Sequence, residues 1–251
     1  MKLTLALRFI PSLLLFGLAL PASAQTARDY LERAEEAMRG SELRAEMTMT
    51  IVRPTWEREM SLTSWALGAD RAMMVITAPA RDAGTVFLKR DREVWNWVPQ
   101  LERVIKMPPS MMAQSWMGTD FSNDDLVRES SVLRDYTHAL VGEEMIMGRP
   151  CAIIELTPLP EAPVVWGKVR MWVDRADFLQ LKVESYDEFG DLVQTLETLE
   201  IGDLGGRTLP VAVQVVPADE PGHRTEMRYD ALDFTPNLDE GFFTVSQMQD
   251  L

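Results

Sequence analysis

The chain has 251 residues, 46% of them hydrophobic and 25% charged, a composition typical of globular proteins that fold around an apolar core. Acidic side chains outnumber basic ones by 39 to 25, so the formal net charge is -14. This balance argues against nucleic-acid binding, because nucleic-acid binders need a basic surface for the phosphates. The two histidines and the single Cys151 supply few ligands for zinc or haem and no internal disulfide, so we expect no metal and no cofactor.

The first 24 residues have the organisation of a secretory signal peptide. Lys2 and Arg8 precede a short apolar run, and residues 21–24 (Pro-Ala-Ser-Ala) carry the small side chains that signal peptidase recognises. The apolar run is too short to span a bilayer, and no cysteine follows it at which a lipid could be attached. We therefore expect cleavage after Ala24 and export of residues 25–251 as one domain.

The remaining chain begins with a helical pattern and continues as strands. Apolar residues recur at helical spacing over residues 26–39, and Gly40 ends the helix. Over residues 43–51, apolar and polar side chains alternate as in a strand with one buried face. Strand-like runs separated by turn residues follow at 56–65, 71–77, 85–90, 94–98, 103–106, 137–147, 151–157, 165–174, 178–186, 192–201, 208–216 and 224–234.

This succession of strands predicts a mainly β protein. Parallel strands would need intervening helices, so the short spacing favours a single large antiparallel sheet. Such a sheet has a long apolar face that must be covered, either by closing the sheet or by curving it around helices. We predict an incomplete β-barrel whose concave face is covered by the first helix and by the region around residues 108–129, where the strand alternation stops.

The central segment, residues 107–126, carries the most distinctive composition. Met111, Met112, Trp116, Met117 and Phe121 lie close together, which fits either a packed core or an adaptable apolar binding surface. A serine followed three positions later by an acidic residue also forms a capping-box pattern, which predicts a short helix beginning near Asn123. The aspartates at 120, 124 and 125 do not have the spacing of a calcium loop, and helix capping explains them better.

Three sequence blocks resemble the outer-membrane lipoprotein-sorting family, the LolA-like periplasmic proteins. They are residues 78–88 (Ala-Pro-Ala-Arg-Asp-Ala-Gly-Thr-Val-Phe-Leu), residues 94–99 with 103–105, and residues 117–126. In the last block, Gly118, Thr119, Asp120, Phe121, Ser122, Asp125 and Leu126 carry the part that is specific to one branch of the family. The resemblance covers nearly all of residues 25–251. In the lipoprotein carrier of this family an arginine keeps the protein closed, but no matching motif assigns that arginine to a position in this sequence.

The resemblance implies a non-catalytic periplasmic carrier that holds acyl chains in an apolar half-barrel and moves a lipoprotein or lipid towards the outer membrane. Its implied partners are lipidated cargo, an inner-membrane transporter and an outer-membrane acceptor, with only transient membrane contact. An exposed acyl chain costs roughly 0.8 kcal/mol per CH₂ in water, so such a carrier needs an apolar cavity. The expected lining consists of Met47, Met49, Ile51, Trp95, Trp97, Met111, Met112, Trp116, Met117 and Phe121, with the last five forming a lid.

Two other classes of function are open at this point. A non-catalytic accessory protein of an envelope export or assembly system could use the same fold without transferring lipid. A hydrolase with paired carboxylates would draw on Asp187, Glu188 and Asp191, but these residues lie in a predicted hairpin, where acidic side chains commonly form the turn. We therefore expect a protein that is not an enzyme.

Overall fold

The computed structural model describes residues 25–128 and 132–251, so the expected signal peptide lies outside the described residues. Helix α1 (Ala27–Arg39) comes first, and no helix within these ranges has the length and apolar content needed to cross a membrane. The strands that follow are β1 (Glu42–Arg53), β2 (Trp56–Leu67), β3 (Arg71–Ala78), β4 (Val86–Arg90), β5 (Glu93–Val98), β6 (Arg103–Lys106), β7 (Tyr136–Ile146), β8 (Arg149–Pro158), β9 (Lys168–Asp174), β10 (Gln180–Tyr186), β11 (Leu192–Leu204), β12 (Arg207–Pro217) and β13 (Arg224–Asp233).

All 13 strands belong to one antiparallel sheet with the order β6-β5-β4-β3-β2-β1-β13-β12-β11-β10-β9-β8-β7. The pairing of β1 with β13 joins the two halves of the chain. In the described part of the chain, β6 and β7 each pair on one side and form the two edges. The sheet is therefore not closed into a barrel, which confirms the predicted fold class, and every predicted strand is present with ends that differ by a few residues.

The strand register sorts the core side chains onto two faces. On one face, a continuous row of apolar residues runs across five strands, from Val215 of β12 through Leu196, Val183 and Met171 to Ile154 of β8. Helix α1 and the central segment both pack against this face, which we call the helix face. The C-terminal segment, residues 238–248, packs on the opposite side of β2 to β6, which we call the tail face.

The buried apolar side chains of the helix face form two clusters with the elements that cover it. The first lies under the central segment, and its buried members are Ala45, Met47, Met49, Ile51, Met60, Leu62, Met74, Ile76, Phe87, Val94, Met107, Met112, Trp116, Phe121, Val213, Val215 and Met227. The second lies under α1, where Tyr30, Leu31 and Ala34 contact apolar residues of β8 and β9. Both helical regions thus cover the apolar side of the sheet, as the sequence predicts.

The ends of α1 explain where the helix starts and stops. The Thr26 hydroxyl accepts a hydrogen bond from the Asp29 N–H at 3.2 Å, and the Asp29 carboxylate accepts one from the Thr26 N–H at 2.8 Å. This reciprocal pair is a capping box, which satisfies backbone donors that have no partner within the helix. At the other end, Gly40 has a φ of 62°, a conformation that glycine adopts without a steric penalty.

We expect Thr26→Ala to lower the free energy of unfolding by about 1 kcal/mol, because the first turn of α1 loses a cap. Urea unfolding followed by circular dichroism measures the difference. Glu36→Ala, an exposed substitution on the same helix, serves as the control and is expected to change stability by less than about 0.5 kcal/mol. Equal stability of the Thr26 variant and the original chain would show that the cap does not contribute.

Candidate functional site

The central segment lies flat on the helix face and buries its large apolar side chains there. Met107, Met112, Trp116 and Phe121 are all less than 9% exposed, and Trp116 is completely buried. The Trp116 indole packs against the Phe87 ring of β4 with the ring centroids 5.5 Å apart. These side chains reach into the sheet cluster, so the segment covers the apolar face in the manner of a lid.

A tight turn at residues 116–119 gives the segment its shape. Met117 and Gly118, the two central residues, have φ values of 51° and 79°, which is the pattern of a type I′ turn. The Thr119 N–H donates to the Trp116 carbonyl at 2.9 Å, and the Thr119 hydroxyl donates to the same oxygen at 2.8 Å. Glycine at position 118 is therefore required by the backbone, and Thr119 closes the turn.

A buried ion pair fastens this turn to the sheet. The Arg53 guanidinium donates to the Asp120 carboxylate at 2.9 Å, and both side chains are at most 10% exposed. The same guanidinium donates to the Gly118 carbonyl at 3.0 Å. The Thr225 hydroxyl of β13 donates to the Asp120 carboxylate at 2.6 Å, and the Asp120 N–H donates back to that hydroxyl at 2.9 Å. Asp120 thus joins the central segment to both β1 and β13.

A second arginine holds the turn from the neighbouring strand. The Arg58 guanidinium of β2 donates a short hydrogen bond to the Met117 carbonyl. Burial lowers the pKa of the Arg58 guanidinium, and the positive charges of Arg81 and Arg53 lower it further, whereas Asp82 opposes them. The Arg58 Nε atom is buried, and it has no hydrogen-bond partner among the described residues. We call Arg53, Arg58 and Asp120 the latch.

The C-terminal part of the central segment ends in the predicted capping box. The Ser122 N–H donates to the Asp125 carboxylate at 2.8 Å, and the Asp125 N–H donates to the Ser122 hydroxyl at 3.1 Å. A single helical turn, Asp124–Arg128, follows it. The Asp125 carboxylate also accepts hydrogen bonds from the Trp166 indole at 3.2 Å and the Gln194 amide at 3.1 Å. Asp125 therefore fixes this end of the segment to the second half of the chain.

The structure brings most of the expected lining residues together. Met47, Met49 and Ile51 of β1 are buried on the helix face. Met112, Trp116 and Phe121 of the central segment contact the same cluster. Met111, Met117 and Leu126 are partly buried and pack against its rim. The sequence alternation on β1 and the apolar content of the central segment therefore identify two sides of one cluster.

Trp95 and Trp97 lie elsewhere, so their expected place in this lining is wrong. In the sheet register, Trp95 is beside Leu88 and Trp97 is beside Val86, both on the tail face. There the two tryptophans are partly buried in the cluster covered by the C-terminal segment. Alternation shows that they share a face of β5, but it does not show which face, because both faces of this part of the sheet are apolar.

Sequence reasoning missed several members of the helix-face cluster. From the first half of the sheet these are Met60, Leu62, Met74, Ile76, Phe87 and Val94, and from β12 and β13 they are Val213, Val215 and Met227. The alternation of β2 offered a signal, since Met60 and Leu62 are separated by one polar residue. The β13 contribution depends on the pairing of β1 with β13, which joins residues far apart in the chain.

The apolar cluster is filled by its own side chains. Met49, Ile51, Met60 and Trp116 have no exposed surface, so side chains fill the place where the sequence predicts an apolar cavity. A pocket of about 300 Å³ is present on the tail face, where Thr48, Thr50 and Glu59 contribute to a mainly polar lining. A second pocket of about 210 Å³ lies between α1 and the β2–β3 turn.

One carboxylate of the latch also lies near other potential metal ligands. Ligand atoms of Asp120, Glu220 and His223 lie within 4.8 Å of one another. The Arg53 guanidinium and the Thr225 hydroxyl already bind the Asp120 carboxylate, so a cation would have to compete with a buried positive charge. The donor set therefore fits a latch better than a metal centre.

The acidic hairpin between β10 and β11 has a structural role. One carboxylate oxygen of Asp187 accepts hydrogen bonds from the N–H groups of Phe189 and Asp191, each at 2.9 Å. This arrangement is that of an aspartate that stabilises its own turn. The candidate carboxylates of a hydrolase are therefore turn residues.

Comparisons with known proteins place the fold. A family model with the description "Uncharacterized protein" matches residues 68–250. A DUF1329 family protein from Desulfovibrio piger superposes with a TM-score of 0.79 at 24% identity, over 89% of this chain and 98% of that one. A LolA superfamily protein from Nitrosomonas europaea gives a TM-score of 0.77 at 23% identity, over 89% and 99%. An outer membrane lipoprotein-sorting protein domain from Vibrio parahaemolyticus gives 0.76 at 24% identity, over 87% and 97%.

No curated protein matches the sequence. The three solved structures have the same fold along nearly their whole length, although their sequences have diverged. The family model covers most of the chain, including the central segment and the latch aspartate. The chain therefore belongs to this family of uncharacterized proteins, and its fold is similar to that of the LolA superfamily protein and the lipoprotein-sorting protein domain.

Proposed function

We propose that the protein is a non-catalytic periplasmic carrier that binds acyl chains of a lipoprotein or lipid on its helix face and moves them towards the outer membrane. The observation that carries this proposal is an apolar sheet face covered by a segment that polar contacts hold in place. Arg53 and Arg58 bind carbonyl groups of the turn at residues 116–119, while Trp116 and Phe121 fill the space beneath it. The described conformation corresponds to the closed form of such a carrier.

Displacement of the central segment is energetically within reach of an acyl chain. An acyl chain with about 15 methylenes gains roughly 12 kcal/mol when it leaves water, at ~0.8 kcal/mol per CH₂. The four large side chains that the segment buries contribute about 2 kcal/mol each, or roughly 8 kcal/mol together. These two gains are of the same order, so cargo can replace Met107, Met112, Trp116 and Phe121 on the helix face.

Methionine suits a surface that alternates between two occupants. Its unbranched thioether side chain adapts to partners of different shape at little cost. In this cluster, Met47, Met49, Met60, Met74 and Met227 come from the sheet. The same side chains can therefore pack against the indole of the central segment or against a flexible hydrocarbon chain.

The names of two structural neighbours agree with this role. One neighbour is named a lipoprotein-sorting domain and another a LolA superfamily protein, and carriers of that kind work in the periplasm. The signal-peptide pattern of residues 1–24 fits export to that compartment. The net charge of -14 fits transient contact with anionic membranes, because like charges repel. An inner-membrane transporter and an outer-membrane acceptor are the partners that this role requires.

The proposal is tested by native mass spectrometry of the exported chain after incubation with vesicles that contain a triacylated lipopeptide and phospholipids. We expect one lipid or lipopeptide molecule to remain bound per chain. A second measurement follows the Trp fluorescence, because a bound acyl chain changes the surroundings of Trp116. A chain that emerges without lipid under conditions that keep lipid bound to a known carrier would contradict the proposal, and an accessory role in envelope assembly would then be preferred.

A further inference from the structure

A group of arginines closes one end of the helix face. The helix-face row of β1 runs through Met47, Met49 and Ile51 and ends at Arg53. On β2, Arg58 lies beside Ile51 in the register and so continues the same face. The apolar surface therefore ends in two guanidinium groups at the tip of the β1–β2 hairpin.

A third arginine lies in another connection at the same end of the sheet. Arg81 lies in the connection between β3 and β4, which the antiparallel order places at the same end of the sheet. Its charge acts on the Arg58 guanidinium, as does that of Arg53. The acidic groups facing them are Asp82, which pairs with Arg81 at 3.0 Å, and Asp120 of the central segment, with Glu220 nearby. Glu57 and Glu59 of β2 alternate with Arg58 and so belong to the opposite face.

Opening of the central segment would change the charge balance at this end. In the closed form, Arg58 donates to the Met117 carbonyl, and Arg53 donates to the Gly118 carbonyl and the Asp120 carboxylate. Arg53 also donates to the carbonyls of Val52 and Arg224, which belong to the sheet. When the segment leaves, the three partners that it supplies leave with it, and the acidic groups that remain at this end are Asp82 and Glu220. The loss of these contacts leaves Arg53 and Arg58 with fewer partners at the edge of an apolar surface, and an anion that replaces the lost contacts stabilises this state.

We propose that the cargo carries an anionic phosphate headgroup, which binds to Arg53, Arg58 and Arg81 while its acyl chains occupy the apolar helix face. Arginine is well suited to this role because its planar fork binds phosphate oxygens through two parallel hydrogen bonds. This inference rests on the proposed carrier function and names the class of lipid.

The test compares two lipids with identical acyl chains, phosphatidic acid and diacylglycerol. Each lipid carries a pyrene on one chain and is delivered to the exported protein in dodecyl maltoside micelles, which contain no phosphate. We expect phosphatidic acid to bind at least about tenfold more tightly, with a preference that decreases at high salt. Glycerol 3-phosphate, added alone, is expected to bind at least about a hundredfold more weakly than phosphatidic acid, because it buries no acyl chain.

Variants separate the headgroup site from the latch. The exposed Arg81 side chain has no latch contact among the described residues, so Arg81→Gln is expected to leave the fold intact. We expect it to reduce the preference for phosphatidic acid over diacylglycerol by about threefold. Arg58→Gln is expected to abolish the preference. Asp120→Asn opens the latch but keeps the arginines, so the preference is expected to persist. Arg90→Gln removes an exposed charge at the opposite end of β4 and is the matched control.

The outcomes distinguish failure of the proposed headgroup site from failure of the proposed carrier function. Equal affinity for the two lipids would overturn the headgroup site and leave the carrier function standing. Binding of neither lipid would overturn the carrier function itself. Equal affinity for glycerol 3-phosphate and phosphatidic acid would show a site for soluble phosphate compounds and would contradict a lipid cargo at these arginines.

Discussion

Asp120→Asn is expected to accelerate uptake of a fluorescent fatty acid by about tenfold or more and to lower the free energy of unfolding by about 2 kcal/mol. The substitution removes the negative charge that binds the Arg53 guanidinium, and both side chains are almost fully buried. The lost charge leaves a buried cation with a weaker partner and weakens the attachment of the central segment to β1 and β13. Stopped-flow fluorescence measures the uptake, and urea unfolding measures the stability.

Asp191→Asn is the matched control, because it removes the same charge from an exposed hairpin outside the latch. We expect it to change stability by less than about 0.5 kcal/mol and to leave uptake unchanged. If the Asp120 variant lost stability but took up the fatty acid no faster, the ion pair would be structural, and the central segment would not act as a lid.

Trp116→Ala is expected to lower the free energy of unfolding by about 3–5 kcal/mol, since it removes a large, fully buried side chain. It is also expected to increase the affinity for an acyl chain by about tenfold. The indole competes with cargo for the space next to Phe87, and its removal leaves an apolar cavity on the helix face. Isothermal titration with a long-chain fatty acid measures the affinity, at a temperature where the variant remains folded.

Trp97→Ala provides the comparison on the tail face. The Trp97 indole packs under the C-terminal segment, in a different apolar cluster from Trp116. We expect this variant to lose stability through the same loss of buried apolar surface, with no gain in acyl affinity. A similar gain in both variants would mean that probes bind to any cavity in the core, and the helix face would lose its special role.

Much of the fold follows from local patterns in the sequence. The alternation over residues 43–51 fixes which side chains of β1 share a face, because successive strand residues point to opposite sides. The capping boxes at Thr26 and Ser122 are equally local, since each involves residues three positions apart. These features depend on a few neighbouring residues, so they can be predicted without knowledge of the rest of the chain.

The latch could not be predicted in this way. Arg53 and Asp120 are 67 positions apart, and Asp120 and Thr225 are 105 apart, so no local spacing connects them. The sequence resemblance drew attention to Gly118 and Asp120 but placed no closing arginine. The fold places Arg53 and Arg58 against the turn at residues 116–119 because that turn crosses the end of the β1–β2 hairpin.

The sequence by itself determined an export pattern, an acidic composition, the strand succession and a central segment rich in methionine and aromatic residues. Those properties depend on composition and short-range periodicity, which follow directly from the order of the residues. Only the tertiary structure decided that Trp95 and Trp97 belong to the tail face and that the space beneath the central segment is filled by Trp116 and its neighbours. Both results depend on which strands pair and in which register, because one step of register exchanges the two faces of a strand.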